Sequence, residues 1–171
     1  MERVNKTKVL LGGAIKRKNP SKSSEILEKL KVLSDNVLDY GCGYGFDADY
    51  FKWDKYDPCY FDNYPNKQFQ NIVCINVLNV VSKRIRNEII KNIQELLNED
   101  GKAYLCVPRN IPIAGKYIVG SSKPYDYLVE SIDTFYNQKQ LCELMIKNGF
   151  SNVEYRNLSN GISAIHSGWK I

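Results

Sequence analysis

Three alternate glycines, Gly41, Gly43 and Gly45, follow the apolar pair Val37-Leu38, and an acid, Asp39, stands two residues before the first of them. Glycine has no Cβ, so backbone at these positions comes close to a ligand where any other residue would collide. A helix that starts after the third glycine adds unpaired N–H groups at the same place. Asp39 is positioned to hold a ligand's amino group. A second acidic segment, Asp57-Pro58-Cys59-Tyr60, lies 12 residues after Gly45, and Arg109 is suited to a phosphate or carboxylate. Five cysteines without a C-x-x-C pair and one histidine, His166, make no zinc quartet, so no metal is expected.

The elements that must position these groups can be read from periodicity. Ile26, Leu27, Leu30 and Leu33 share one face of a helix over Ser23 to Leu33. Asn36 to Tyr40 reads as a short buried strand, Asp47 to Phe51 as a brief helix, and Tyr56-Asp57 as the end of a second strand. Phe69 to Val77 contains the most strand-like run, Ile72-Val73-Cys74-Ile75, as expected for a strand buried on both faces. From the N-cap Ser82, Ile85, Ile89, Ile90, Ile93, Leu96 and Leu97 trace an amphipathic helix that Asn98-Glu99-Asp100-Gly101 stops. A strand over Ala103 to Val107, a helix over Lys139 to Asn148, and strands over Val153 to Arg156 and Gly161 to Trp169 complete the chain. Strand and helix alternate from Val37 onward, which predicts an α/β fold with a mostly parallel sheet and flanking helices.

Glycine spacing separates two ligand classes. Dinucleotide binding uses G-x-G-x-x-G, whereas this turn is G-x-G-x-G with Asp39 just upstream. That form resembles the first motif of class I S-adenosylmethionine-dependent methyltransferases. Other segments match the family in order: Asp57 resembles the acid that ends its second strand and holds the ribose hydroxyls. Phe69 to Leu78 resembles its fourth strand and following loop, Leu96 to Leu105 its junction into the fifth strand, and Tyr136 to Glu154 its last helix and the strand beyond. The resemblance implies S-adenosylmethionine as cofactor in a Rossmann-like methyltransferase fold. It places Asp39, Tyr40, Gly41, Cys42, Gly43, Asp57, Pro58, Asn76, Val77 and Leu78 around that cofactor.

Two departures stand out. Phe69 follows Asp57 by 12 residues, too few for the helix, third strand and helix that family members carry there. The third strand and its adjoining helices are therefore expected to be missing. Asn71 and Asn76 occupy positions where the family often has acids, which leaves no evident general base. The compressed pattern resembles short phage methyltransferases and the methyltransferase-like proteins that accompany DNA phosphorothioation systems. Asp57-Pro58-Cys59-Tyr60 also resembles the D-P-P-Y tetrad of DNA amino-methyltransferases, although there the tetrad follows the fourth strand.

Seven basic residues against Glu2 alone lie within positions 1–22, so the rest of the +5 chain is close to neutral. Residues 1–22 are expected to form a basic arm on a single domain of residues 23–171, and the arm could track the phosphates of DNA or RNA. The loop Ile111 to Pro124 is long enough to be a substrate lid. With no apolar run long enough to span a membrane and no signal peptide, a cytoplasmic protein is expected. The functional expectation is methyl transfer from S-adenosylmethionine, nucleic acid being favoured as substrate. The alternatives are a small-molecule methyltransferase and a noncatalytic cofactor- or nucleic-acid-binding module.

Overall fold

The computed structural model describes residues 14–108, 135–158 and 163–171. Four parallel strands start the sheet: β1 (Val37–Tyr40), β2 (Asp54–Tyr56), β3 (Phe69–Ile75) and β4 (Leu97–Pro108). Two more strands extend it, β5 (Ser151–Leu158) and β6 (Ser163–Trp169); β6 lies between β4 and β5 and runs antiparallel to both. The order is β2-β1-β3-β4-β6-β5. Strand order reverses at β1, with β2 on one side of it and β3 on the other, so the carboxyl ends of β1 and β3 flank a position of the kind where α/β sheets bind ligands.

Helices cover both faces because β1 and β3 are apolar on both. On one face α1 (Lys22–Lys29) and α2 (Phe46–Phe51) bury Leu27 and Ala48 with Trp53, Val73, Ile75 and Tyr104. On the other, α3 (Lys83–Leu96) lays down Ile85, Ile89, Ile90 and Ile93, and α4 (Gln138–Lys147) adds Leu141 and Met145. This is the Rossmann-like methyltransferase fold that the sequence predicts.

No strand lies between β2 and β3, in agreement with the missing third strand. The connection folds back at a single bridge between Asp57 and Phe61. Tyr64 then packs edge-on against Tyr56, with ring centroids 5.3 Å apart, and Lys67 pairs with Asp54 at 2.9 Å. The loop thus covers the edge of β2 that a third strand would have paired.

Several boundaries differ from the sequence expectation. Helix α1 ends at Lys29, not Leu33, because Lys31 turns into the left-handed region (φ 53°) and leaves Leu30 exposed. Strand β3 ends at Ile75 because Asn76 adopts φ 58°. Asn98 to Gly101 does not stop α3 in an open loop. It enters β4 as an irregular stretch, the register jumping from Phe69 opposite Leu97 to Asn71 opposite Lys102. There the Asp100 N–H donates to Lys170 O (3.0 Å) and the Lys170 N–H to Gly101 O (2.9 Å), a long-range tie that local sequence does not encode.

Candidate functional site

The glycine turn leaves β1 and is held by the end of β2: the N–H groups of Gly41 and Cys42 both donate to Tyr56 O, at 2.7 and 3.2 Å. All three glycines have positive φ (82°, 56° and 77°), a conformation that side chains other than glycine adopt at a cost. The room each one leaves is taken by the chain itself. A Cβ at Gly41 would lie 2.5 Å from Val77 Cγ2, one at Gly43 2.9 Å from Ala14 Cβ, and one at Gly45 2.7 Å from Lys55 Cδ. The glycines thus let the segments carrying Ala14, Lys55, Phe61 and Val77 converge on one turn.

Three carboxylates surround that turn. Asp39 is 5% exposed, and no described residue donates a hydrogen bond to its carboxyl. Burial, reinforced by the nearby Asp47 and Asp57 and opposed by Arg17, raises its pKa from 3.8 to about 8. Asp57, at the carboxyl end of β2, accepts from the Gly43 N–H on Oδ2 (3.0 Å) and from the N–H groups of Cys59 (2.8 Å) and Tyr60 (3.2 Å) on Oδ1. It therefore organises both the glycine turn and the Pro58 turn. Its place beside β1 matches the family's second strand and not the D-P-P-Y position after the fourth.

Asp47, in the first turn of α2, was not singled out by the sequence. It is buried and accepts from Arg17 (3.1 Å), the Ser21 N–H (3.0 Å) and the Ser24 hydroxyl (2.8 Å). An acid just after a glycine turn, in a chain whose basic residues cluster upstream, was the available signal. The Cys42 thiol is pushed far up by burial and by Asp39 and Asp57, so it stays protonated at neutral pH.

The Asn76–Leu78 turn borders the same crevice from β3. The Asn76 N–H donates to Cys106 O (2.8 Å), Val77 packs on Gly41, and buried Leu78 presents its carbonyl to Arg86 Nε (2.7 Å). Arg86, also missed, is buried in α3 with its guanidinium 4.6 Å from the Phe135 ring centroid. An aromatic pair, Tyr44 and Tyr60, spans the mouth with centroids 4.5 Å apart. The structure brings Asp39, Tyr40, Gly41, Cys42, Gly43, Asp57, Pro58, Asn76, Val77 and Leu78 to one end of the sheet, whereas Arg109 and the loop Ile111 to Pro124 lie outside the described residues. His166 is buried within β6, its Nε2 3.2 Å from Gln138 O, and burial lowers its pKa to about 4. It is a neutral core imidazole.

Fold and crevice together define a class I methyltransferase architecture. The chain belongs to the ubiE/COQ5 methyltransferase family, whose model matches residues 77–170, more than half of its length. A ubiquinone/menaquinone biosynthesis C-methyltransferase of Allorhizobium ampelinum is 52% identical over 61 residues, covering 36% of this chain and 24% of the relative. The chain thus spans about a quarter of the curated relatives it matches. Among solved structures, a methyltransferase of Thermotoga maritima described as a possible histamine N-methyltransferase aligns with TM-score 0.62 at 15% identity, covering 87% of this chain and 88% of that one. The 1,6-didemethyltoxoflavin-N1-methyltransferase of Burkholderia thailandensis, solved with S-adenosylhomocysteine, aligns with TM-score 0.60 at 15% identity, covering 86% and 76%. At such identities these structures speak for the fold.

Proposed function

We propose that this chain binds S-adenosylmethionine across the Gly41–Gly45 turn and transfers its methyl group to a ring carbon of a small quinol-like molecule. The observation that carries this reading is the family match over residues 77–170. The relatives named as quinone C-methyltransferases supply the acceptor class. This replaces nucleic acid, which the sequence favoured, as the substrate.

The crevice suits the cofactor. Asp39 as carboxylate would hold the amino group, and Asp57 retains one lone pair for a ribose hydroxyl. Asn76, Val77 and Leu78 would border the remainder. When bound there, S-adenosylmethionine would supply an electrophilic methyl group to an electron-rich ring carbon, with Asp39, Asp57 and the Asn76–Leu78 turn holding it in place and water taking the ring proton. Proximity and alignment supply most of the rate for such a transfer, so a dedicated base is not required.

Calorimetry with S-adenosylhomocysteine and NAD tests the pocket, and labelled methyl transfer to a demethylated hydroquinone, DNA and RNA tests the acceptor. Selective S-adenosylhomocysteine binding with label in the hydroquinone is expected. Equal NAD affinity, or label in nucleic acid, overturns the reading. The missing third strand and the asparagines Asn71 and Asn76, where the family often has acids, favour a noncatalytic cofactor-binding module instead. Tight binding without any methyl transfer would establish that alternative.

A further inference from the structure

The segment before α1 follows the glycine turn step by step. Ala14 sits against Gly43, Lys16 Nζ lies 5.7 Å from the centroid of Tyr44, Arg17 pairs with Asp47, and Ser21 and Ser24 close onto the same carboxylate. The contacts ascend together along both stretches of chain, so residues 14–24 lie alongside residues 43–47. Asp47 makes a firm anchor: its side chain is 6% exposed and accepts three hydrogen bonds from this one segment. A buried carboxylate needs such compensation.

We propose that residues 14–24 form a strap that is one wall of the cofactor pocket, latched by Arg17 on Asp47, and that the closed strap retains the bound cofactor. The inference rests on the cofactor reading above. It gives the basic segment a partner inside the protein, where the sequence had pointed it at phosphates. Arg17 belongs to the strap, so the latch also adjusts the charge around Asp39. The groups facing Asp39 are Arg17 from the strap, Asp47 from α2, Asp57 after β2, Cys42 in the turn and Cys74 on β3. Arg17 is the cation among the described groups that favour the Asp39 carboxylate, and it is a positioning residue, not a catalytic one.

The test compares the wild-type chain with Arg17→Met and Arg17→Lys. S-adenosylhomocysteine is titrated from about pH 6 to 9, and tryptic cleavage at Lys16 and Lys18 is followed with and without it. The Arg17 side chain is 34% exposed and Ser21 and Ser24 still hold Asp47 when it is replaced, so both variants are expected to fold, which circular dichroism checks. Arg17→Met is expected to weaken binding by about two- to fivefold, in the range of a partly exposed charge pair. It should also move the pH at which affinity levels off upward, and speed cleavage in a way the ligand no longer prevents. Arg17→Lys restores all three properties. A wild type that binds no S-adenosylhomocysteine overturns the cofactor reading and the strap with it. Normal wild-type binding with unchanged or tighter binding by Arg17→Met overturns the strap alone.

Discussion

Lowering the pH from about 8 to about 6 should weaken S-adenosylhomocysteine binding by roughly fiftyfold, through Asp39 alone. Burial raises its pKa to about 8, so the carboxyl is mostly neutral at neutral pH. A ligand ammonium needs the carboxylate, so binding must first expel the proton. The carboxylate is a minority species at pH 7 and about tenfold rarer at pH 6, so affinity falls about tenfold per pH unit in that range. Above pH 8 the dependence levels off. Calorimetry in buffers of different ionisation enthalpy reads this twice, as affinity against pH and as proton release approaching one per ligand below pH 7. An affinity flat between pH 6 and 8, with no proton released, would refute the assignment of Asp39 to the amino group.

The same ionisation governs stability. Folded Asp39 keeps its proton up to about pH 8 while the unfolded chain loses it near 3.8, so its contribution falls as pH rises through that window. Asp39→Asn should therefore stabilise the unliganded protein by about 4 kcal/mol at pH 7 and hardly at all at pH 4, seen as a rise in Tm, while abolishing cofactor binding. Gly41→Ala forces a Cβ onto Val77 at positive φ and should cost about 2–4 kcal/mol in urea unfolding, with part recovered in the double variant Gly41→Ala/Val77→Ala. No recovery would show that strain in φ, not crowding, dominates. Asp57→Ala frees three backbone amides and should lower both unfolding stability and cofactor affinity by about 1–3 kcal/mol. Loss of turnover with stability and affinity intact would instead make Asp57 a catalytic group.

The Gly41–Gly45 turn, the acid before it, the apolar strands and the amphipathic face of α3 were legible in the sequence because each is a local pattern. Glycine spacing follows from one turn, alternation or continuity of apolar residues from one strand, and the repeat of Ile85, Ile89 and Ile93 from one helix. Even the missing third strand was a matter of counting, since 12 residues cannot hold a helix, a strand and a second helix. What tertiary structure alone decided were meetings between distant segments. Val77 and Ala14 close on Gly41 and Gly43. Lys170 ties down Asp100, turning an apparent helix stop into the start of β4. Asp47 gathers Arg17, Ser21 and Ser24 from up to 30 residues away. No local pattern encodes such contacts, because they depend on where the sheet carries each segment. The ionisation of Asp39 is of the same kind: the residue is visible in the sequence, but its burial and its charged neighbours exist only after folding.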